Sequence, residues 1–229
     1  MIESSVSAEF VAAGYAVIAD VLTSDEMRSV ARDLTESATQ AVGTRRLLDT
    51  PWCRALARRL AGERRLRAVM PADVRAVQCT LFEKKLDKNW LVTLHQDLSI
   101  PVAERIENDR CTGWSQKEGV LFVQPPSPAL EELVIVRVHL DDCDERNGAL
   151  RVVPGSHRLG RLSPAQASQV REVRGECLVP VAAGGAMLMR PVAARLFQGV
   201  HRLAAASSSL RVRSAYTARR AELAASLKA

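Results

Sequence analysis

The chain has 229 residues, of which 47% are hydrophobic and 25% are charged, and this suits one globular domain with a sizeable core. Its formal charge of +6 is spread along the sequence and aromatic residues make up only 4%, so nothing indicates the basic, aromatic groove that binds single-stranded nucleic acid. The charge either favours a small anionic substrate or reflects no more than a solvated surface.

The sequence shows no membrane span, no export signal and no disulfide pattern, and these features bear on the cellular compartment and the state of the thiols. No apolar run is long enough to cross a bilayer, and the start, Met1–Ser5, has no basic residues and no apolar signal core. The five cysteines are scattered, with no Cys-x-x-Cys pair, which argues against a disulfide framework and against a zinc ribbon. We expect a cytoplasmic protein with free thiols, no membrane partner and no nucleic-acid partner; the oligomeric state is left open.

Helical signals dominate residues 1–73. A helix end is expected before Gly14, and a short strand follows to Ile18. Thr23 is expected to cap a second helix, which has acidic residues in its first turn. A third helix opens with Pro51 at its first position and ends at Gly62.

After Val74 the apolar pattern becomes that of strands, which we expect at 74–82, 90–98, 133–140, 149–153, 177–181, 185–189 and 210–216. A helix is expected at 164–173, and residues 101–120 are expected to form an irregular functional loop or lid. The fold class is therefore α+β, mainly β: a double-sheet jelly roll over 74–217, with the N-terminal helices packed on one sheet and a helical tail at 218–229, all in a single domain.

His95 and Asp97 are the pair most suggestive of chemistry. Residues two apart in an extended strand point to the same side of it. An imidazole and a carboxylate presented together are two of the three ligands of a 2-His-1-carboxylate iron site. The spacing alone is common by chance, so its weight depends on the surrounding sequence.

Three segments together resemble the phytanoyl-CoA dioxygenase family: Asn89-Trp90 through His95-Gln96-Asp97-Leu98, Val138 through Cys143, and Asn147-Gly148 through Pro154-Gly155-Ser156-His157. The resemblance covers roughly residues 9–190. It implies a double-stranded β-helix that binds Fe(II) and 2-oxoglutarate, consumes O2 and hydroxylates a small-molecule substrate.

The family's third metal ligand is a distal histidine, and here the sequence departs from the family. Strict register places Arg195 where that ligand is expected, and His201 is the only histidine further along the chain. If a few extra residues shift the strand, His201 completes the catalytic metal site with His95 and Asp97. If the third ligand is lost, the chain is an inactive relative that binds a small ligand or interacts with another protein. We take His201 as the ligand.

The resemblance also implies an arginine beyond the distal histidine that pairs with the far carboxylate of 2-oxoglutarate. Arg211, with Arg213 close by, stands at that separation from His201, and a planar guanidinium suits bidentate carboxylate binding.

Further candidates for co-substrate contact are Gln78, Gln96 and Arg137. The alternative for Gln78 and Arg137 is a polar residue satisfied inside the barrel, and for Gln96 an outward-facing side chain. His139 is expected to be a barrel residue, and His157 to stabilise its loop.

Overall fold

A computed structural model describes residues 2–36, 45–71, 73–85, 92–105, 108–146, 148–197 and 209–218. The helices are α1 (Ile2–Ala13), α2 (Ser24–Glu36), α3 (Pro51–Ala61), α4 (Arg64–Arg67), α5 (Ser127–Glu131) and α6 (Pro164–Arg174), and short 3-10 helices cover Leu47–Asp49 and Ser156–Leu159. The strands are β1 (Tyr15–Ile18), β2 (Arg75–Lys85), β3 (Val92–His95), β4 (Ile100–Val102), β5 (Thr112–Lys117), β6 (Val120–Gln124), β7 (Val134–His139), β8 (Leu150–Val152), β9 (Cys177–Val179), β10 (Ala186–Met189), β11 (Arg195–Phe197) and β12 (Ser209–Ala218).

The helix ends follow the local signals in the sequence. The Thr23 hydroxyl accepts a hydrogen bond from the backbone N–H of Glu26, whose carboxylate accepts one from the N–H of Thr23, so a capping box opens α2. Thr50 caps α3, which has Pro51 at its first position and Gly62 as its C-cap, as predicted.

Two antiparallel sheets face each other across the core. The five-stranded sheet has the order β1-β10-β7-β12-β2, and the four-stranded sheet has the order β3-β11-β8-β9. Ile135 and Met187 from the first sheet pack on Leu150 and Val152 from the second. This confirms the predicted jelly roll.

The outer face of the five-stranded sheet is covered by the N-terminal helices, also as predicted. Val134, Val136 and Val138 of β7 pack there against Phe10 of α1 and Leu66 of α4. Because side chains alternate along a strand, the remaining residues of β7 face the interior between the sheets.

The predicted irregular loop is wrong for most of its length. Strands β4, β6 and β5 form a separate three-stranded antiparallel sheet in that order. The β5–β6 turn contains Glu118 and Gly119, both with positive φ (52° and 78°), as a type I′ hairpin turn requires. The pattern of β5 was hidden because that strand is polar and largely exposed.

Trp90 and the tail after Ala218 lie outside the described residues, so the predictions made for them stay predictions, as does the single-domain assignment. In the portion of the chain that is described, no helix is both long enough and apolar enough to cross a bilayer.

Candidate functional site

His95 and Asp97 lie together, although they do not share a strand. His95 is the last residue of β3, and Asp97 lies in the loop that follows, where its backbone N–H donates to the carbonyl of Pro191 over 2.9 Å. The predicted strand through residue 98 is therefore wrong at its end. Even so, Nε2 of His95 is only 3.7 Å from Oδ1 of Asp97.

The imidazole of His95 is held in one orientation. Its Nδ1 lies 2.8 Å from the carbonyl oxygen of Thr93, which requires the proton on Nδ1 and leaves Nε2 as an acceptor facing Asp97. Burial, and then the nearby charge of Arg195, lower the pKa of His95 to about 4, and the Thr93 hydrogen bond opposes both. His95 is thus neutral at physiological pH, with the hydrogen bonding typical of a metal-ligating histidine.

The third corner of the site is occupied by Arg195. Strand β11 lies between β3 and β8, and the cross-strand partner of His95 is Arg195. Arg195 is 3% exposed, and its Nη2 forms an ion pair with Oδ2 of Asp97. Its Nη1 lies 3.4 Å from the carbonyl oxygens of Pro191 and Ala193.

A guanidinium cannot act as a metal ligand, because it carries five N–H donors, has no acceptor and remains protonated. Nowhere in the described ranges do three or more histidine, cysteine or acidic side chains form a group that could hold a metal ion. The described residues by themselves therefore do not make up a 2-His-1-carboxylate site: His95 and Asp97 lie together, and the side chain that meets Asp97 beside them is the cation of Arg195.

His201 lies outside the described residues, so its role as third ligand stays a prediction. The backbone of β12 places Arg211 opposite Glu83 and Arg213 opposite Val138, while Ser214 is the cross-strand partner of Arg137. Neither arginine of β12 is the cross-strand partner of an interior residue of β7. Their predicted contact with 2-oxoglutarate also stays a prediction.

A partly open cavity of about 240 Å³ adjoins Asp97. Its walls come from β2, the loop after β3 and the three-stranded sheet, and it is lined by Arg45, Gln78, Thr80, Phe82, Gln96, Asp97, Leu98, Ser99, Lys117, Phe122 and Gln124. Gln78 is buried, and its amide donates to the Thr80 hydroxyl over 2.9 Å. Most of these residues were missed in the sequence, although Gln78, Thr80 and Phe82 alternate along β2 as one face of a strand.

Gln96 connects three segments around the site. Its amide nitrogen donates to the carbonyls of Gly160 (2.8 Å) and Val192 (2.5 Å), and its amide oxygen accepts from the N–H of Leu162 (2.8 Å). These bonds fasten the loop that carries Asp97 to the segment that precedes Arg195. The geometry favours a positioning role for Gln96 over an outward-facing side chain.

Arg137 and His139 are buried on the inner face of β7. Burial lowers the pKa of Arg137 to about 10, so it stays charged at neutral pH. Ser214 of β12 is the cross-strand partner of Arg137 in β7 and of Thr80 in β2. Arg137 therefore lies two strands away from Thr80, which lines the cavity. Contact between Arg137 and a co-substrate remains a prediction.

His157 is a structural residue, as expected. Its ring lies against Gly14 at the end of α1, so closely that a Cβ on Gly14 would be 2.3 Å from Nδ1. The next residue, Arg158, donates to the carbonyl of Val11 over 3.0 Å. The loop after β8 thus packs on the C-terminus of α1, where basic groups are favourable.

Comparison with known proteins agrees with this architecture. The non-haem α-ketoglutarate-dependent epimerase SnoN from nogalamycin biosynthesis is 17% identical with a TM-score of 0.64, over 94% of this chain and 81% of that chain. AviO1 from Streptomyces viridochromogenes Tue57 is 18% identical with a TM-score of 0.62, over 96% of each chain. HygX from Streptomyces hygroscopicus, solved with nickel and 2-oxoglutarate bound, is 18% identical with a TM-score of 0.60, over 94% of this chain and 86% of that chain.

A search of curated proteins found no significant match. The structural neighbours, at this identity, establish the fold. The model of the phytanoyl-CoA dioxygenase (PhyH) family matches residues 10–194, which is most of the sequence. The chain belongs to the phytanoyl-CoA dioxygenase family.

Proposed function

We propose that this chain is a family member that binds a small molecule in the cavity beside Asp97 and does not hold iron through three protein ligands. The family's cofactors are Fe(II) and 2-oxoglutarate, as the resemblance predicts. One observation carries the departure from them: the buried guanidinium of Arg195 lies on the carboxylate that the metal needs.

A divalent metal ion and the Arg195 guanidinium would repel each other if both lay beside Asp97. Two unit charges 4 Å apart interact by about 4 kcal/mol at an effective dielectric constant near 20, and a divalent ion doubles that repulsion. Asp97 offers one negative charge, already matched by Arg195, and His95 offers none because it is neutral. A divalent ion would enter a site that is neutral overall and would lie beside a fixed cation.

The cavity supports a small, polar ligand. Its volume of about 240 Å³ is below the roughly 300–1,000 Å³ of sites for drug-sized molecules. Arg45 pairs with Glu118, whereas Lys117 lies 5.3 Å from the Phe122 ring. Among the described residues that line the cavity, Lys117 is the cation without a carboxylate partner, which favours the predicted anionic ligand.

Metal content and binding measured together test this proposal. Purified protein is incubated anaerobically with Fe(II), desalted and assayed for iron, and then assayed for succinate after adding 2-oxoglutarate and O2. In parallel, calorimetry in the presence of a chelator measures binding of 2-oxoglutarate, succinate and other small carboxylates. We expect little retained iron, no succinate and carboxylate binding that survives the chelator. Stoichiometric iron with succinate formation would overturn the proposal.

The second candidate is the predicted 2-oxoglutarate-dependent oxygenase that hydroxylates a small molecule, with iron supplying the oxidising chemistry. The orientation of His95 favours it, because Nε2 is left as an acceptor next to Asp97. It requires His201 as third ligand and Arg195 displaced from Asp97. In that case His95→Ala, Asp97→Ala and His201→Ala each abolish succinate formation, whereas Arg211→Ala raises the 2-oxoglutarate requirement and leaves iron bound.

SnoN is an epimerase, so hydroxylation is not the only outcome known on this fold. A cytoplasmic location likewise rests on the sequence prediction.

A further inference from the structure

We propose that Arg195 keeps divalent metal away from His95 and Asp97, and that the single substitution Arg195→His converts the chain into a metal-binding protein. This inference rests on the proposed absence of iron in the natural chain. It goes further by assigning the absence of iron to the side chain of Arg195. The guanidinium pairs with Asp97 where a metal ion otherwise would.

The separation of the two existing ligands suits a metal ion. Nitrogen and oxygen ligands lie about 2.0–2.2 Å from zinc-like ions, so two ligands at angles of about 90–120° are about 2.8–3.8 Å apart. Nε2 of His95 and Oδ1 of Asp97 are 3.7 Å apart, close to the upper end of that range. An ion can therefore be held between them with little movement of either side chain.

Position 195 is the right place for the third ligand. Directly opposed residues in an antiparallel pair present their side chains to the same face, with Cβ atoms about 4.5–5.5 Å apart. Arg195 is opposed to His95, and its side chain already reaches Asp97. An imidazole at this position would approach the same point from the neighbouring strand.

The His95 ring and the backbone of Asp97 are held by hydrogen bonds that Arg195 does not make, although the Asp97 carboxylate itself pairs with Arg195. The His95 ring is bound to the Thr93 carbonyl, and the backbone of Asp97 is bound to the Pro191 carbonyl. The loop between them is held by Gln96 through its bonds to Gly160, Val192 and Leu162. We expect both ligands to keep their places when residue 195 changes.

Replacing Arg195 also changes the charge of the site in the required direction. Without the guanidinium, Asp97 loses its ion pair with Arg195, and a positive charge that lowers the pKa of His95 is removed. With the guanidinium gone, the Asp97 carboxylate beside the His95 imidazole attracts a divalent cation more strongly. Arg195→Lys is the matched control, because it keeps the positive charge on a flexible side chain.

Cobalt(II) binding to the full-length chain provides the test, read from the visible absorption of the bound ion and from metal content after desalting. We expect no specific binding to the natural chain or to Arg195→Lys, and one ion per chain for Arg195→His. Binding to Arg195→His should be lost when His95→Ala or Asp97→Asn is added. Loss of a partner that only orients a ligand costs about 10–100-fold in affinity, so Arg195→Ala should bind at least tenfold more weakly than Arg195→His.

A second measurement covers the case in which Arg195→His does not fold. Arg195→Ala is titrated with cobalt(II) in the presence and absence of free imidazole, which can reach the site through the partly open cavity. We expect imidazole to strengthen binding in this variant and to have no such effect when Asp97→Asn is added.

The outcomes separate this inference from the proposed function. If the natural chain binds cobalt as tightly as Arg195→His, both fail. If Arg195→His keeps the natural circular dichroism and unfolding midpoint yet binds no metal, or if imidazole does not strengthen binding to Arg195→Ala, the inference fails and the proposed function stands.

Discussion

Arg195 and Asp97 form an ion pair between β11 and the loop after β3, with the arginine buried and the side chain of the aspartate 29% exposed. Removing one partner of a buried ion pair lowers the free energy of unfolding by about 3–5 kcal/mol, because the other charge stays buried without a counter-charge. Partial exposure of Asp97 screens the pair, so we expect Asp97→Asn to lower the free energy of unfolding by about 2 kcal/mol. Urea denaturation measures this.

The control for that prediction is the surface pair Arg28–Asp25, in which both side chains are largely exposed. Asp25→Asn should change stability by less than about 0.5 kcal/mol. The double variant Asp97→Asn with Arg195→Met should recover part of the loss, because it removes the stranded charge. Equal effects of Asp97→Asn and Asp25→Asn would contradict a buried pair.

Gln96 is expected to hold the site loops through its three hydrogen bonds to Gly160, Val192 and Leu162. Gln96→Ala leaves those backbone groups to find water, and we expect a loss of about 1–3 kcal/mol in unfolding free energy. Gln169, exposed on α6, supplies the comparison: Gln169→Ala should be nearly neutral. Hydrogen exchange should quicken at Leu162 in the Gln96 variant, and unchanged exchange there would refute the positioning role.

Alanine substitutions at Gly14 and Gly119 distinguish the cost of backbone strain from the cost of a steric clash. Both have positive φ (84° and 78°), but a Cβ on Gly14 would meet the His157 ring at 2.3 Å, whereas a Cβ on Gly119 meets nothing within 4 Å. We expect Gly119→Ala to cost about 1–2 kcal/mol from the left-handed backbone alone. Gly14→Ala should cost more and give the lower melting temperature. Equal melting temperatures would mean that the His157 ring moves aside freely.

His139 is expected to make stability depend on pH. Burial, and then the charge of Arg137, lower the pKa of His139 to about 3 in the folded chain, against about 6.5 when unfolded. Between these values the unfolded chain binds the proton and the folded chain does not. The stability due to neutral His139 is therefore complete above about pH 6.5 and is lost progressively as the pH falls toward 3.

Urea midpoints of the natural chain and His139→Gln, measured at pH 7.5 and pH 5, test this. The substitution lowers stability at both pH values, but the drop between them should be smaller in the variant. Parallel drops would show that other groups control the acid sensitivity.

The sequence predicts the sheets better than it predicts the site. The alternation of Val134, Val136 and Val138 is a local pattern that burial of one face of a strand enforces, and it identified β7 correctly. The proximity of His95 and Asp97 was also predictable, since residues two apart remain near each other even where a strand ends. Strand β5, just before Glu118, was missed because an exposed polar strand lacks the apolar period.

The contact between Arg195 and Asp97 could not be read from local pattern. It depends on the register of β11 against β3, which brings together residues distant in sequence, and register follows from the packing of the whole sheet. Register with the family pattern aligned Arg195 with the expected third ligand, but it could not show that the guanidinium reaches Asp97. The bonds of Gln96 were hidden for the same reason, because all three partners come from distant segments.

The strand order also governs when the chain can fold during its synthesis. In the five-stranded sheet β10 lies between β1 and β7 and β12 lies between β7 and β2, while in the four-stranded sheet β11 lies between β3 and β8. The early strands therefore pair with strands that come much later in the sequence. Such pairing closes long loops of chain, which is slow. A nascent chain stopped before β10 leaves the edges of β1 and β7 unpaired, and such edges promote aggregation. The two sheets can therefore complete their pairing only after β10, β11 and β12 have been made.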